Sequence, residues 1–326
     1  MDKKLQKGQF FTEQDVFENN DVFIDFMQKN NLWNKKILEP FAGSNNLIKF
    51  LQKIKPQINY RSYDIEPKNK NVYKNDSINN WNYQGFDLVI TNPPYLSKHS
   101  AKRMKIDVDF GDFDDLYKLS IFKCIQNVRF TVAIIPTTLI NSNRKKDKIL
   151  IQKLIAFQLL PNKQNFKDTE HPVALAYFDN LKNNENIDFD IYENNKFIEK
   201  YSNLIEIEKS ILKSTNTHEI IFNKPNGNVC VNTGDNTLDK SNIRFLEGEW
   251  LSSDEVKTTD RHKVKLEIRG IEITQHHIDK LNNKINELRQ NKCDYLWASF
   301  KGVSKNGHFR KRIDFGTIKR IINAVL

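Results

Sequence analysis

The chain is poor in cysteine. Cys124, Cys230 and Cys293 stand far apart and form no C-x-x-C pair. This argues against a disulfide framework and a cysteine zinc site, and agrees with a reducing compartment. No apolar run reaches the roughly 18 to 20 residues that span a bilayer. The start, MDKKLQKGQFF, lacks the long apolar core of a secretory leader, so a cytoplasmic location is expected. No repeat at a solenoid period is found. His276 and His277 have no partners at metal-ligand spacing, and no metal is expected.

The chain does carry charge and aromatic residues. It has 326 residues, 38% of them hydrophobic and 22 of them Phe, with a net charge of +10. That length suits two domains, or one enlarged domain, with an aromatic-rich core. The positive balance favours a polyanion, nucleic acid first, against the plainer reading of a Lys-rich proteome.

Through the first half, short apolar runs alternate with helix-like stretches. Helices are expected over 13–29 (with Thr12 as N-cap), 46–53 and 116–127. Strands are expected over 36–39, 60–64, 86–91, 130–135 and 173–178. This alternation predicts an α/β fold, a mostly parallel sheet with helices on both faces. After Phe178 asparagines crowd the chain and periodicity weakens. A boundary near 180 divides a first domain, 1–180, from a second α+β domain, 181–326. Within 289–320 nine basic residues face only Asp294 and Asp314, a surplus of seven positive charges. Tyr295, Trp297, Phe300 and Phe309 are interleaved, which suits a nucleic-acid contact through Lys301, Lys305, Arg310, Lys311 and Arg312. A solvated amphipathic surface is the alternative. Arg144-Lys145-Lys146-Asp147-Lys148 reads as a solvated helix start.

Three motifs carry chemistry. In Glu39-Pro40-Phe41-Ala42-Gly43-Ser44-Asn45, a strand ends in a carboxylate and a tight turn leads into a helix. Such a turn lets backbone approach a ligand at the carboxyl edge of a parallel sheet, although the G-x-G-x-x-G fingerprint is absent. Asp64, at the end of the next strand and 21 residues past Gly43, stands where nucleoside-binding sheets place an acid for ribose hydroxyls. The third motif is Asn92-Pro93-Pro94-Tyr95. Two prolines stiffen the backbone and fix the Asn92 amide oxygen and nearby carbonyls as acceptors. Methylating a base amine needs this, because the exocyclic lone pair is conjugated with the ring. Two acceptors gripping its N–H bonds turn that lone pair toward an incoming methyl group and stabilise the positive charge that develops. The Tyr95 ring can stack on a base taken out of the duplex.

These residues resemble the amino-methyltransferase family of DNA methyltransferases, whose signature is Asn/Asp/Ser-Pro-Pro-aromatic. The resemblance covers about residues 8–178. It implies a Rossmann-like seven-stranded sheet, S-adenosylmethionine as methyl donor, and a C-terminal target-recognition domain following the catalytic one, the γ order of motifs. On it, Phe10, Phe11 and Thr12 pack over the methionine part of the donor. Glu39, Phe41, Ala42 and Gly43 form the donor loop. Asp64 holds the ribose and Ile65 flanks the adenine. Asp76 contacts the adenine amino group, and Asn92 borders the donor. Asn92 to Tyr95 are catalytic, and Tyr95 and Phe166 sandwich the flipped base. Relatives often have a further glycine where Asn45 stands, and Asn tolerates the left-handed backbone such a turn needs.

Asn in the tetrapeptide favours adenine N6 as target. The same chemistry serves cytosine N4, RNA, or a protein glutamine side chain. A recognition subunit without chemistry is the remaining alternative, opposed by the intact motifs. By resemblance the chain is expected to act as a monomer on double-stranded DNA, on a short palindrome such as CATG, and to accompany a restriction endonuclease. His171 is expected to be a loop histidine.

Overall fold

The computed structural model describes residues 14–81, 83–160, 172–182, 186–238, 240–305 and 307–326. Phe10, Phe11, Thr12, Phe166 and His171 lie outside them. The first described helix, α1 (Asp21–Lys29), is capped by Asn20, whose side chain accepts from the Phe23 N–H. It therefore begins eight residues later than periodicity suggests. Asp15 instead closes a turn, its Oδ1 accepting from the Phe17 and Glu18 N–H groups. Asn19 just before the cap has a φ of 52°, which no right-handed helix allows.

The chain then runs β1 (Lys36–Glu39), α2 (Asn46–Ile54), β2 (Asn59–Asp64), β3 (Tyr73–Lys74) and β4 (Leu88–Thr91). It continues with α3 (Lys98–Met104), α4 (Leu116–Asn127), β5 (Phe130–Pro136), α5 (Lys145–Gln152), β6 (Leu154–Leu159), β7 (Val173–Asp179), β8 (Asp190–Glu193) and β9 (Lys196–Lys200). One sheet joins all nine strands in the order β3-β2-β1-β4-β5-β7-β6-β8-β9. From β3 to β5 every pair is parallel, and β7 is antiparallel to both β5 and β6. The expected seven strands are thus extended by β8 and β9 in the asparagine-rich stretch. Strands β4 and β5 are buried along their whole length, as central parallel strands between two helical layers must be. Phe17, Phe23, Phe26 and Phe130 do contribute to an aromatic core.

Two compact units are present, 1–201 and 202–326. The division falls at Tyr201 and not near 180, because β8 pairs with β6 and keeps the Asn-rich segment in the large sheet. The second unit holds α6 (Tyr201–Ile211) from its second residue on, a four-stranded antiparallel sheet in the order β10-β13-β11-β12, and a separate hairpin. Those strands are β10 (Ile220–Phe222), β11 (Val229–Asn232), β12 (Arg244–Glu247) and β13 (Lys263–Ile268). Helices α7 (Gln275–Gln290) and α8 (Phe315–Val325) bury Leu281, Ile285, Ile318 and Ile322 in the same cluster as Val231, Phe245 and Leu266. The hairpin pairs β14 (Ala298–Val303) with β15 (Phe309–Arg312). No helix among the described residues is long and apolar enough to cross a membrane.

Candidate active site

Strand order positions the site. β1 has β2 on one side and β4 on the other, so the connections leave it in opposite directions. In open parallel sheets ligands bind in the crevice at such a switch, beyond the carboxyl ends of the strands. Glu39, Asp64 and Thr91 are the last residues of β1, β2 and β4.

The loop after β1 is held by its own backbone and by β2. Ala42 N–H donates to Tyr63 O at 2.8 Å, and Gly43 N–H donates to Asp64 Oδ2 at 2.8 Å. Gly43 has a φ of 49° and Asn45 one of 63°. Asn45 therefore does adopt the left-handed backbone, and its buried side chain accepts from Ser62 Oγ at 2.7 Å. That bond fixes the residue where a glycine would be free to move.

Asp64 is buried, with Glu66 N–H on its other oxygen at 2.8 Å. A carboxylate offers about four acceptor positions, so these two bonds leave room for sugar hydroxyls. Ile65 beside it is half-exposed, at 50%, an apolar side chain at the mouth of the crevice. Asp76 caps its own turn, accepting from the Ile78 and Asn79 N–H groups. The neighbouring Ser77 donates to Pro40 O at 2.6 Å, tying that turn to the loop after β1.

Glu39 is 1% exposed. Its Oε1 accepts from Thr91 Oγ1 at 2.7 Å and Phe41 N–H at 3.1 Å. Its Oε2 has no hydrogen-bond partner among the described residues. Burial pushes the carboxyl up to about 8, the Thr91 and Phe41 hydrogen bonds pull it down, and the charge of Asp64 raises it further. An unpartnered buried carboxyl oxygen next to a backbone-lined turn fits a polar ligand group. The Thr91 bond joins this group to the strand that delivers Asn92. The sequence motif runs from Thr91 but assigns it no role, although it is the one hydroxyl of β4, adjacent to the tetrapeptide.

Asn92 is half-exposed and follows β4 directly. The Tyr95 hydroxyl lies 2.7 Å from Asn92 Oδ1 and 2.7 Å from Ile134 O on β5. With one proton for two acceptors, it ties the amide of Asn92 to the neighbouring strand. Burial holds this hydroxyl well above the ordinary phenol range, with the charge of Asp115 adding to the rise. The Tyr95 ring meets Tyr117 edge-on, centroids 5.9 Å apart. From the other side Asp115 receives Leu96 N–H at 3.2 Å and caps α4, and Leu116 N–H donates to Leu96 O at 3.0 Å. Burial raises the Asp115 carboxyl to about 6. α4 is anchored in turn by buried Lys118, which meets Asp114 at 2.7 Å and buried Asp147 at 2.5 Å. Asp147, expected on a solvated helix start, is thus an inner ion-pair partner.

The structure therefore brings together Glu39, Phe41, Ala42, Gly43, Asp64, Ile65, Asn92, Pro93, Pro94 and Tyr95 on adjacent strand ends, with the Asp76 turn tied on through Ser77. The basic residues of the second unit behave differently from one another. β15 alternates: Phe309 and Lys311 are buried, Arg310 and Arg312 half-buried. Lys311 Nζ donates to Ser299 Oγ at 3.1 Å and lies 5.3 Å from the Tyr295 ring centre. The Arg310 guanidinium donates to Asp235 O. Lys305 is exposed, and Lys301 lies on β14. His277 closes a capping box with Thr274 at the start of α7. No cluster of three or more His, Cys, Asp or Glu side chains among the described residues could hold a metal.

Residues 4–160 match the Eco57I restriction-modification methylase family. No curated protein matches the chain. Among solved structures, a protein from Listeria monocytogenes described as a class I S-adenosylmethionine-dependent methyltransferase has 15% identity and a TM-score of 0.40, over 54% of this chain and 64% of that one. The type IIG restriction endonuclease BpuSI has 15% identity and a TM-score of 0.41, over 56% of this chain and 27% of its own. A Pyrococcus horikoshii protein described as an RNA methyltransferase has 14% identity and a TM-score of 0.34, over 54% and 88%. The chain thus spans less than two thirds of the first two of these proteins. At such identities the likeness carries no function across. The methyl donor of the matched family is S-adenosylmethionine. That family match spans 157 of the 326 residues, just under half of the chain.

Proposed function

We propose that this chain is a site-specific DNA methyltransferase that places a methyl group on N6 of an extruded adenine in a short palindromic duplex site such as CATG. It shields that DNA from a partner restriction endonuclease. The observation that carries this reading is the Asn92 amide oxygen, tied by the Tyr95 hydroxyl at the carboxyl end of β4, one residue beyond the Thr91–Glu39 hydrogen bond.

S-adenosylmethionine supplies an electrophilic methyl group. Glu39, Phe41, Ala42 and Gly43 bind it from the β1 loop, Asp64 from the end of β2, with Ile65 and Asp76 toward its adenine. The Asn92 amide oxygen accepts from the target amine, withdraws its lone pair from conjugation and aims it at the methyl group. As the new N–C bond forms, the sulfonium S–C bond breaks and its electron pair leaves on sulfur as a neutral thioether; the positive charge passes to nitrogen, where a preorganised acceptor stabilises it without rearranging. The amine then sheds a proton, restoring a neutral N-methyl base. The ring of Tyr95 stacks on the extruded base, and Lys305, Arg310 and Arg312 serve the DNA backbone. Lys311, turned inward, has no part in this. The chain acts as a monomer.

The test is methyl transfer from radiolabelled donor to duplex DNA, followed by digestion to nucleosides. Label in N6-methyladenine is expected. Label in N4-methylcytosine would change the target base, and label only in RNA or in a glutamine residue would overturn the reading. Asn92→Ala should keep donor binding and lower turnover by about two orders of magnitude or more. Near-normal turnover would remove Asn92 from its role.

A further inference from the structure

One end of the sheet in the second unit carries rows of positive charge. Asn232 of β11 lies in register between Arg244 of β12 and Lys263 of β13. Their side chains share one face, opposite to that of Val231, Phe245 and Val264, which is turned to the core. Arg244 and Lys263 are exposed. Beyond Asn232 the pairing continues, Thr233 N–H donating to His262 O at 2.9 Å. Gly234 then bridges to Arg312 of β15. The Thr233 hydroxyl donates to Arg261 O, so Arg261 lies beside the Thr233–Gly234 segment on the side of β13.

The electrostatics agree with this geometry. Burial, and after it the charge of Arg261, holds the Arg312 guanidinium below its usual range. Arg261 is exposed and has no carboxylate partner among the described residues. The neighbouring acids are engaged elsewhere. Asp260 accepts from the His262 and Lys263 N–H groups. Asp235 accepts from Arg289 and from Lys311 N–H. Two like charges close together repel, and a phosphate beside them relieves that repulsion. A single free phosphate would satisfy the arginine pair alone. The Arg244–Lys263 row, two residues and roughly 6.6 Å away, calls for a second phosphate, which a polyanion supplies.

We propose that Arg261 and Arg312, together with Lys263 and Arg244, form the phosphate-contacting face of the second unit on duplex DNA. This rests on the DNA methyltransferase reading and extends it to residues far from the basic segment at 289–320.

The test is the salt dependence of binding of the full chain to a fluorescein-labelled DNA duplex, by anisotropy. In a plot of log affinity against log salt, each phosphate contact contributes about 0.9 to the slope. Arg261→Gln should flatten the slope by about 1, and Arg261→Gln with Arg312→Gln by about 2. A control pair, Lys213→Gln with Lys280→Gln, removes equal charge at exposed positions elsewhere and should leave the slope unchanged. If the half-buried Arg312 variant fails to fold, Arg261→Gln alone decides. Equal slopes in the arginine variants and the wild type, equal flattening in the control, or stronger binding to single-stranded RNA of the same length would overturn the proposal. If the wild type also methylates DNA, only this assignment falls. If the wild type neither binds nor methylates DNA, the methyltransferase reading falls with it.

Discussion

Replacing Glu39 by Gln isolates the consequence of burying a carboxyl group at the heart of the site. Gln keeps an oxygen in place of Oε1 for Thr91 Oγ1 and Phe41 N–H and removes the titration. In the folded wild type the carboxyl titrates at about 8, against 4.5 when exposed. Below 4.5 it is protonated in both folded and unfolded chains, and burial costs no ionisation energy. Between 4.5 and 8 the unfolded chain loses the proton first and folding must take it back, so stability falls as pH rises. The fall is about 1.4 kcal/mol per pH unit and levels off above the folded value. At pH 7 it amounts to about 3 kcal/mol, on the order set by that shift. The assay is calorimetric unfolding without donor, following the transition of the first unit from pH 5 to pH 8. Stability of the wild type relative to Glu39→Gln should decline by about 2 to 3 kcal/mol between pH 5 and pH 7. Parallel curves for the two proteins would refute the reasoning, since they would mean that the carboxyl ionises freely in the folded chain.

Three further substitutions test other parts of the site. Asp64→Ala removes the anchor of Gly43 N–H as well as the acceptor assigned to the ribose, so the dissociation constant for S-adenosylmethionine should rise about tenfold or more, by roughly 1.4 kcal/mol or more. An unchanged constant in titration calorimetry would rule out that contact. Tyr95→Phe keeps the ring but loses the hydroxyl between Asn92 Oδ1 and Ile134 O. It should cost about 1 kcal/mol of stability and lower turnover while DNA affinity holds. Wild-type turnover would show that the amide needs no such tie. Lys118→Met leaves Asp147 buried without its cation and should cost about 3 to 5 kcal/mol, with Lys118→Met/Asp147→Leu recovering most of it. Denaturant melts that barely move in the single variant would mean that water reaches the pair.

Where one short segment decides a feature, the sequence alone sufficed. β1 at 36–39 and α4 at 116–127 have the expected limits, because each joins an apolar pattern to a clear local stop. Asn45 was readable for the same reason: the strained turn and the residue that tolerates it stand at one position. The start of α1 misled because Thr12 and Asp15 mimic a capping box, while Asn20 makes the cap in the structure. β6 follows α5 almost without a break, and a short stretch that is apolar but for Gln158 has no period that distinguishes strand from helix. β8 and β9 lie in a polar stretch and owe their place in the sheet to the pairing of β8 with β6, a partner more than thirty residues away, and of β9 with β8.

The same distinction separates the catalytic segment from the DNA face. Asn92 to Tyr95 carry their chemistry within four residues, since two prolines fix the backbone there whatever lies around it. The positive face has no such local rule. Counting charges from 289 to 320 groups Arg310, Lys311 and Arg312, but a strand sends successive side chains to opposite sides, and Lys311 is buried against Ser299. Arg312 instead lies near Arg261, 51 residues earlier, because Gly234 bridges to Arg312 while the neighbouring Thr233 holds Arg261 O. Whether positive charges act together is therefore decided by strand pairing, which is not written within any single stretch of the chain.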